Sequence, residues 1–311
     1  MKIWSLKNLG EIRQRKITVM KIGLLGPKGT FCYRACRNYI KNSAGMGGIG
    51  DAEMVYYPTI DEVFLNSECE LGIVPVENTL DGYVQRTLDL LLTQDVYVFD
   101  EIILPVQFSM IAKAESTDEI KKLYVQFKAN GQCRDFINSL NGVSIVSTQS
   151  NMESYYKMCE DEYGTAAIVP AHIVDDSKYE HPDDSKKLII DNVTDAKHNS
   201  TRFVVFTRDK QNVKKYVNQY GKSVRVSVYI MPNTDRPGIL YEILKIFHDK
   251  NINLISIMSR PTKLELGTYN FYIEIEDSPE KEDIIMQALD MVSRDNRIKI
   301  VGYCNMKRHH M

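Results

Sequence analysis

The chain has 311 residues, 43% of them hydrophobic and 26% charged, with 17 glycines and 10 prolines, which excludes one small domain and fits a globular protein with a large split domain plus a smaller one. Its 39 basic and 41 acidic residues leave a net charge of −2, so nothing draws it globally to nucleic acid or acidic lipid, and no long basic patch does so locally. Six cysteines (Cys32, Cys36, Cys69, Cys133, Cys159 and Cys304) form no C-x-x-C pair and lie at no zinc-ligand spacing to His172, His181, His198 or His248, so reduced thiols in a cytoplasmic protein without a metal are expected.

Residues 1–20 carry scattered charges and lack the apolar core of an export signal, and read as an N-terminal extension, with Met20 a second possible start. No uncharged apolar run approaches a membrane span. From Lys21 an α/β rhythm begins: a strand at Lys21 to Leu25, a Gly/Pro turn, a helix from Phe31 to about Ile40, and strands at Met54 to Tyr57 and Leu71 to Val76. Val84, Leu88, Leu91 and Leu92 then mark one helix face. Ile102 to Ile111 reads as one long extended segment. A second series follows, with a strand at Leu123 to Phe127, a helix from Gln132 to Leu140 and strands at Val143 to Val146 and Ala166 to Val169. A charged loop, Asp175 to Lys187, closes it, and Phe203 to Thr207 is a returning strand.

Residues 209–222 are polar without apolar period and read as a linker. Beyond it Val224, Val226, Val228 and Ile230 alternate with polar residues as a half-buried strand. Asp235 and Pro237 read as the start of a helix faced by Leu240, Ile243, Leu244 and Phe247. Strands at Leu254 to Ser259 and Phe271 to Ile275, a helix started by Ser278 and Pro279, and a strand at Ile298 to Tyr303 complete the order βαββαβ, a ferredoxin-like unit.

The turn G-L-L-G-P-K-G-T, Gly23 to Thr30, fits neither nucleotide loop: Lys28 precedes Gly29, and Pro27 stands where a dinucleotide turn needs flexibility. It is either a plain tight turn or one whose N–H groups at Gly29, Thr30 and Phe31 receive an anion. V-P-V-E-N-T-L-D-G-Y-V, Val74 to Val84, makes a second strand-turn-helix, and N-S-T-R-F, Asn199 to Phe203, feeds a strand. GPKGTF, VPVENTLDG and NSTRF, in this order and spacing, resemble the prephenate dehydratase family. D-R-P-G-I-L-Y-E-I-L and N-L-I-S-I-M-S-R-P resemble its regulatory ACT domain, so that the likeness covers residues 21 to about 304.

The resemblance implies a two-lobed, periplasmic-binding-protein-like α/β catalytic domain over residues 21–208. Lobe 1 would span about 21–103 and 188–208, lobe 2 about 104–187, with the site in the cleft between them and an ACT domain over 223–305. The implied reaction takes prephenate to phenylpyruvate, carbon dioxide and water without a cofactor, and aromatisation drives it. Thr201, Glu77, Asn78 and Gln132 are the implied catalytic residues; Gly29, Thr30, Phe31, Asn199, Arg202 and Phe203 are the implied substrate-binding ones. Arg202 could equally clamp a carboxylate or brace its loop. Thr201 would stabilise or relay rather than ionise, and Glu77 could orient Asn78 or act as an acid if burial raised its pKa.

Phenylalanine is the implied effector, bound between ACT domains of a homodimer or homotetramer at Gly238, Ile239, Leu240, Asn253 and Leu254; an ACT module serving only as a dimerisation sheet is the alternative. Departures cluster in the second lobe, where the family's Y-S-H-P-Q-A-L-A-Q-C is Y-V-Q-F-K-A-N-G-Q-C, Tyr124 to Cys133, and where Ser150-Asn151-Met152 replaces Ser-Thr-Ala. In the ACT part Met258 replaces an acidic residue. A prephenate decarboxylase, an arogenate dehydratase and a catalytically silent amino-acid sensor are the competing functional readings.

Overall fold

The computed structural model describes residues 19–43, 49–174, 188–215 and 221–306. Residues 1–18 of the expected N-terminal extension, the charged loop at 175–187 and part of the linker, 216–220, lie outside the described residues. Lobe 1 begins with β1 (Lys21–Leu25), α1 (Phe31–Asn42), β2 (Glu53–Tyr57), α2 (Ile60–Leu65), β3 (Leu71–Asn78), the short β4 (Gly82–Tyr83), α3 (Gln85–Thr93) and β5 (Tyr97–Pro105). Lobe 2 carries β6 (Phe108–Ala112), β7 (Lys122–Gln126), α4 (Phe127–Gln132), α5 (Arg134–Ser139), β8 (Ser144–Thr148), α6 (Asn151–Glu160), β9 (Thr165–Pro170) and β10 (Leu188–Ile190). The chain returns through β11 (Ser200–Thr207), which lies antiparallel between β3 and β5.

Lobe 2 is a five-stranded sheet in the order β10-β6-β9-β7-β8. Its central β9 is buried at every position because structure covers both faces, hence the continuous apolar run TAAIVP. The expected single segment from Ile102 to Ile111 is two strands, β5 in the first sheet and β6 in the second, so the outward crossing lies at Val106-Gln107. The return also comes later than expected. β10 pairs with β6 inside lobe 2, so residues 188–190 belong to that lobe and the chain re-enters lobe 1 at β11.

The C-terminal unit is β12 (Ser223–Pro232), α7 (Ile239–Asp249), β13 (Leu254–Pro261), β14 (Tyr269–Asp277), α8 (Glu282–Ser293) and β15 (Asn296–Met306), the βαββαβ order expected. Val224, Val226, Val228 and Ile230 pack under α7 and α8 with Ile243, Phe247, Ile285, Leu289 and Val292; full burial of each such side chain contributes about 1.5–3 kcal/mol. The other face of β12 is not open to solvent, as a half-buried strand would have it. Tyr229 is wholly buried there and donates to the Leu88 carbonyl of α3 at 2.7 Å. The two domains share one ten-stranded sheet, order β13-β14-β12-β15-β5-β11-β3-β1-β2 with β4 on β3. The join is a single parallel pairing of Gly302 with Val98, where a Cβ on Gly302 would come within 2.6 Å of the Val98 Cβ.

Two helix starts differ from the sequence reading. α7 begins at Ile239, capped by Gly238 at φ +89° rather than by Asp235 and Pro237, since that positive φ lets the chain turn into the helix. Of the expected helix from Gln132 to Leu140, Arg134–Ser139 forms α5, while Gln132 ends a separate short helix, α4, that begins at Phe127, with Cys133 breaking the two. The Gln126 side chain caps α4 by accepting from the N–H groups of Lys128 and Ala129 at 2.8 and 3.2 Å. Asp195 accepts from those of Arg134 and Asp135 at the start of α5. No helix among the described residues is long and apolar enough to cross a membrane.

Candidate active site

The lobes enclose a cleft of about 580 Å³ lined by the segments that stood out as motifs. Leu25, Pro27, Thr30 and Phe31 come from the turn into α1. Pro75, Asn78, Asp81 and Tyr83 come from β3 and the loop after it, and Thr201 and Phe203 from β11. Gln126, Lys128, Gln132, Ser150 and Asn151 come from lobe 2. The pleat of the paired strands sorts their side chains, because alternate residues point to opposite faces. Thr201 sits opposite Asn78, and Arg202 opposite Glu77. Thr201 and Asn78 therefore face the cleft, while Glu77 and Arg202 face the C-terminal domain.

On the cleft side a hydrogen-bonded chain runs across both lobes. Asn78 Oδ1 accepts from the N–H groups of Leu80 and Asp81 at 3.0 and 3.1 Å. Those donors fix the amide's orientation, so its Nδ2 is the donating end. Nδ2 lies 3.0 Å from Thr201 Oγ1, 2.9 Å from Asn199 Oδ1 and 3.2 Å from the Ser200 carbonyl. Asn199, almost fully buried, in turn donates to Gln132 Oε1 in the opposite lobe at 3.1 Å. Three dispersed motif residues and Gln132 thus form one connected array.

The expected anion turn divides. Thr30 and Phe31 line the cleft, but the Thr30 hydroxyl is the cap of α1 and accepts from the Tyr33 N–H. Gly29 is not among the cleft walls. It holds φ +90°, a Cβ there would stand 2.5 Å from Met152 Sδ, and its carbonyl lies 3.0 Å from His172 Nε2. Gly29 therefore seats the first lobe against the second rather than touching the cleft. Phe31 meets Phe108 edge-on at 5.5 Å between ring centres and, with Phe203 and Val106, gives the cleft an apolar wall.

Glu77 and Arg202 were expected at the substrate, and the geometry gives them another place. The buried Arg202 guanidinium pairs with Glu77 at 2.9 Å, Glu101 at 2.9 Å and Glu274 at 2.8 Å, and Glu101 reaches on to Arg225, which pairs with Glu276 at 2.6 Å. Of the two roles open to Arg202, this is the bracing one. Burial alone would raise the Glu274 carboxyl, but the facing Arg202 charge and its hydrogen bonds hold it below its ordinary value. Burial does win at Glu101, whose carboxyl is raised against the pull of Arg202 and Arg225. Sequence reading missed Glu101 and Glu274 because they stand 101 and 72 residues from Arg202 in motifs of no kind.

Among the described residues no cluster of His, Cys, Asp and Glu could hold a metal ion. Cys32, the one thiol lining the cleft, is pushed up to about 12 by burial and is no nucleophile near neutral pH. In the C-terminal domain, Gly238-Ile239-Leu240 and Asn253-Leu254 sit at opposite ends of α7, about 16 Å apart for an eleven-residue helix. One chain does not bring them together.

Comparison with known proteins agrees with this architecture. The prephenate dehydratase family model matches residues 22–211 and the ACT domain model residues 233–289. The chain is 31% identical over 266 residues to the prephenate dehydratase of Methanocaldococcus jannaschii, spanning 85% of this chain and 91% of that protein. It superposes on the crystal structure of the prephenate dehydratase from Staphylococcus aureus subsp. aureus Mu50 with a TM-score of 0.73 and 30% identity, over 92% of this chain and 100% of the other. A prephenate dehydratase from Arthrobacter aurescens, solved in complex with L-Phe, shares the fold with a TM-score of 0.75 at 24% identity, over 92% of this chain and 90% of that one. The chain belongs to the prephenate dehydratase family, as an enzyme of phenylalanine biosynthesis that carries a C-terminal ACT domain.

Proposed function

We propose that prephenate is dehydrated and decarboxylated in the interlobe cleft with the Thr201 hydroxyl directed at the departing ring hydroxyl. One observation carries this assignment: the oriented Asn78 amide donates to Thr201 Oγ1. An oxygen that receives that hydrogen bond has its own proton turned elsewhere, and the cleft is where it can serve. In the reaction the ring C–O bond and the bond to the ring carboxylate break together or in sequence. Carbon dioxide leaves, the electron pair enters the ring, and the departing hydroxide takes up one proton to become water. Thr201 stabilises that developing negative charge by hydrogen bonding or relays the proton from solvent, the kind of help an oxyanion donor gives. Asn78 positions the hydroxyl, Asn199 and Gln132 hold Asn78 across the cleft, and Thr30, Phe31 and Phe203 shape the wall against the ring. Incubating the protein with prephenate and following phenylpyruvate tests the reaction; a non-aromatic product would instead mark a decarboxylase.

The same reading makes phenylalanine the effector, in a homodimer or homotetramer whose ACT domains meet side by side. Supporting it are the L-Phe complex of the Arthrobacter relative and the separation of Gly238-Ile239-Leu240 from Asn253-Leu254 along α7, which calls for a second copy to complete the site. Effector binding would act on the cleft through Glu274 of β14, which grips the neighbour of Thr201 in sequence. The six free cysteines, five of them buried, support the expected cytoplasmic location. Calorimetry with phenylalanine tests the effector, and sedimentation with and without it tests the assembly.

A further inference from the structure

Prephenate is a dianion, yet the polar groups assembled around Thr201 are neutral amides and hydroxyls. Among the described residues that line the cleft, Lys128 carries the one positive side chain and Asp81 the one negative. They face each other across the cleft mouth: Asp81 stands in the loop between β3 and β4 of lobe 1, Lys128 in the first turn of α4 in lobe 2, and their charged atoms are 3.0 Å apart. Both are open to water, with side-chain exposures of 68% for Lys128 and 48% for Asp81, so the pair holds weakly and exchanges readily. A cation in a helix's first turn is also misplaced for that helix, since the positive end of the backbone dipole repels it. Lys128 is thus not explained by helix stability.

We infer that Lys128 binds the side-chain carboxylate of the substrate, the one retained in the product, and gives up Asp81 to do so. This rests on the reaction proposed above and extends it to a residue outside the motif array. The choice between the two substrate carboxylates follows from the chemistry. The ring carboxylate loses its charge as carbon dioxide departs, and a lysine bound to it would stabilise the ground state more than the transition state and slow the step. The side-chain carboxylate keeps its charge throughout, so a lysine there tightens binding evenly and leaves the chemical step alone. Asp81 competes with the substrate in the free protein: it occupies the ammonium and adds a negative charge to a cleft that must admit two more.

The two substitutions of this pair therefore have opposite signs. Lys128→Gln should raise KM for prephenate about tenfold at low salt with kcat within about threefold, and Lys128→Arg should recover most of that loss. Asp81→Asn should lower KM several-fold. If the pair were only a latch between the lobes, either neutral variant would break it, and both would move KM in the same direction. Calorimetry with phenylpyruvate, which retains the side-chain carboxylate, reads the same signs without turnover. Wild-type turnover of prephenate in the same assay reports on the reaction, and the signs of the two changes report on Lys128. KM unchanged in Lys128→Gln, or KM shifted alike in Lys128→Gln and Asp81→Asn, overturns the assignment.

Discussion

At the residue scale the site depends on which end of one amide donates. Two backbone N–H groups hold Asn78 Oδ1, so Nδ2 faces Thr201. Asn78→Asp keeps the shape and removes the donor. The new carboxylate would accept the Thr201 proton instead of turning it to the cleft, and it would oppose the Asn199 Oδ1 and Ser200 carbonyl oxygens that now accept from the amide, so kcat should fall by about two orders of magnitude or more and the melting temperature should fall with it. Thr201→Ala should depress kcat comparably, and Thr201→Ser should recover much of it; wild-type turnover in Thr201→Ala would remove the hydroxyl from the chemistry. The motif residues themselves were legible in the sequence. Their division between cleft and interface was not, because it depends on how β11 registers against β3, and a shift of one residue would exchange Thr201 for Arg202.

At the scale of elements, β11 is held on one face by the substrate array and on the other by ion pairs to the ACT sheet. Glu274→Gln leaves Arg202 short of a buried counter-charge, and loss of one partner from such a group costs about 3–5 kcal/mol; denaturant unfolding measures it. Asp89 of α3 pairs with Arg260 and Lys263. Burial would raise its carboxyl, but the two cations and their hydrogen bonds hold it below its ordinary 3.8. A depressed carboxyl contributes stability above the unfolded pKa and loses it as pH falls through the folded one. The difference in melting temperature between wild type and Asp89→Asn should therefore be largest near neutral pH and shrink as the pH falls below the ordinary carboxylate range; a difference independent of pH would contradict the assignment. Strands with period-two or continuous apolar patterns were legible. α2 and α6 were not singled out, and the Cys133 break is set by Asp195, whose carboxylate captures the start of α5 from 61 residues away.

At the scale of the whole molecule, the sequence shows two domains joined by a polar segment, and the fold binds them more closely than that segment implies. They share a sheet through Val98 and Gly302, Tyr229 is buried on α3, and the Lys299 ammonium donates to the carbonyls of Leu91, Leu92 and Gln94. A chain ending at residue 208 would expose the β5 edge and strip Glu274 and Arg225 from their partners. Such a truncation should melt well below the full chain and associate through the open edge, so loss of activity in it would not by itself separate regulation from stability. Gly302→Val, which drives a branched side chain into Val98, perturbs the join within the intact chain and should destabilise the fold by about 1–3 kcal/mol, as overpacking does, which a lowered melting temperature would show.

The most direct test is a proton NMR time course of prephenate with the wild-type protein and, in parallel, with Asn78→Asp and Thr201→Ala, each first shown to be folded. The wild type should convert prephenate to phenylpyruvate, with both variants about a hundredfold or more slower. A non-aromatic product from the wild type, or aromatic product from either variant at the wild-type rate, would contradict the account.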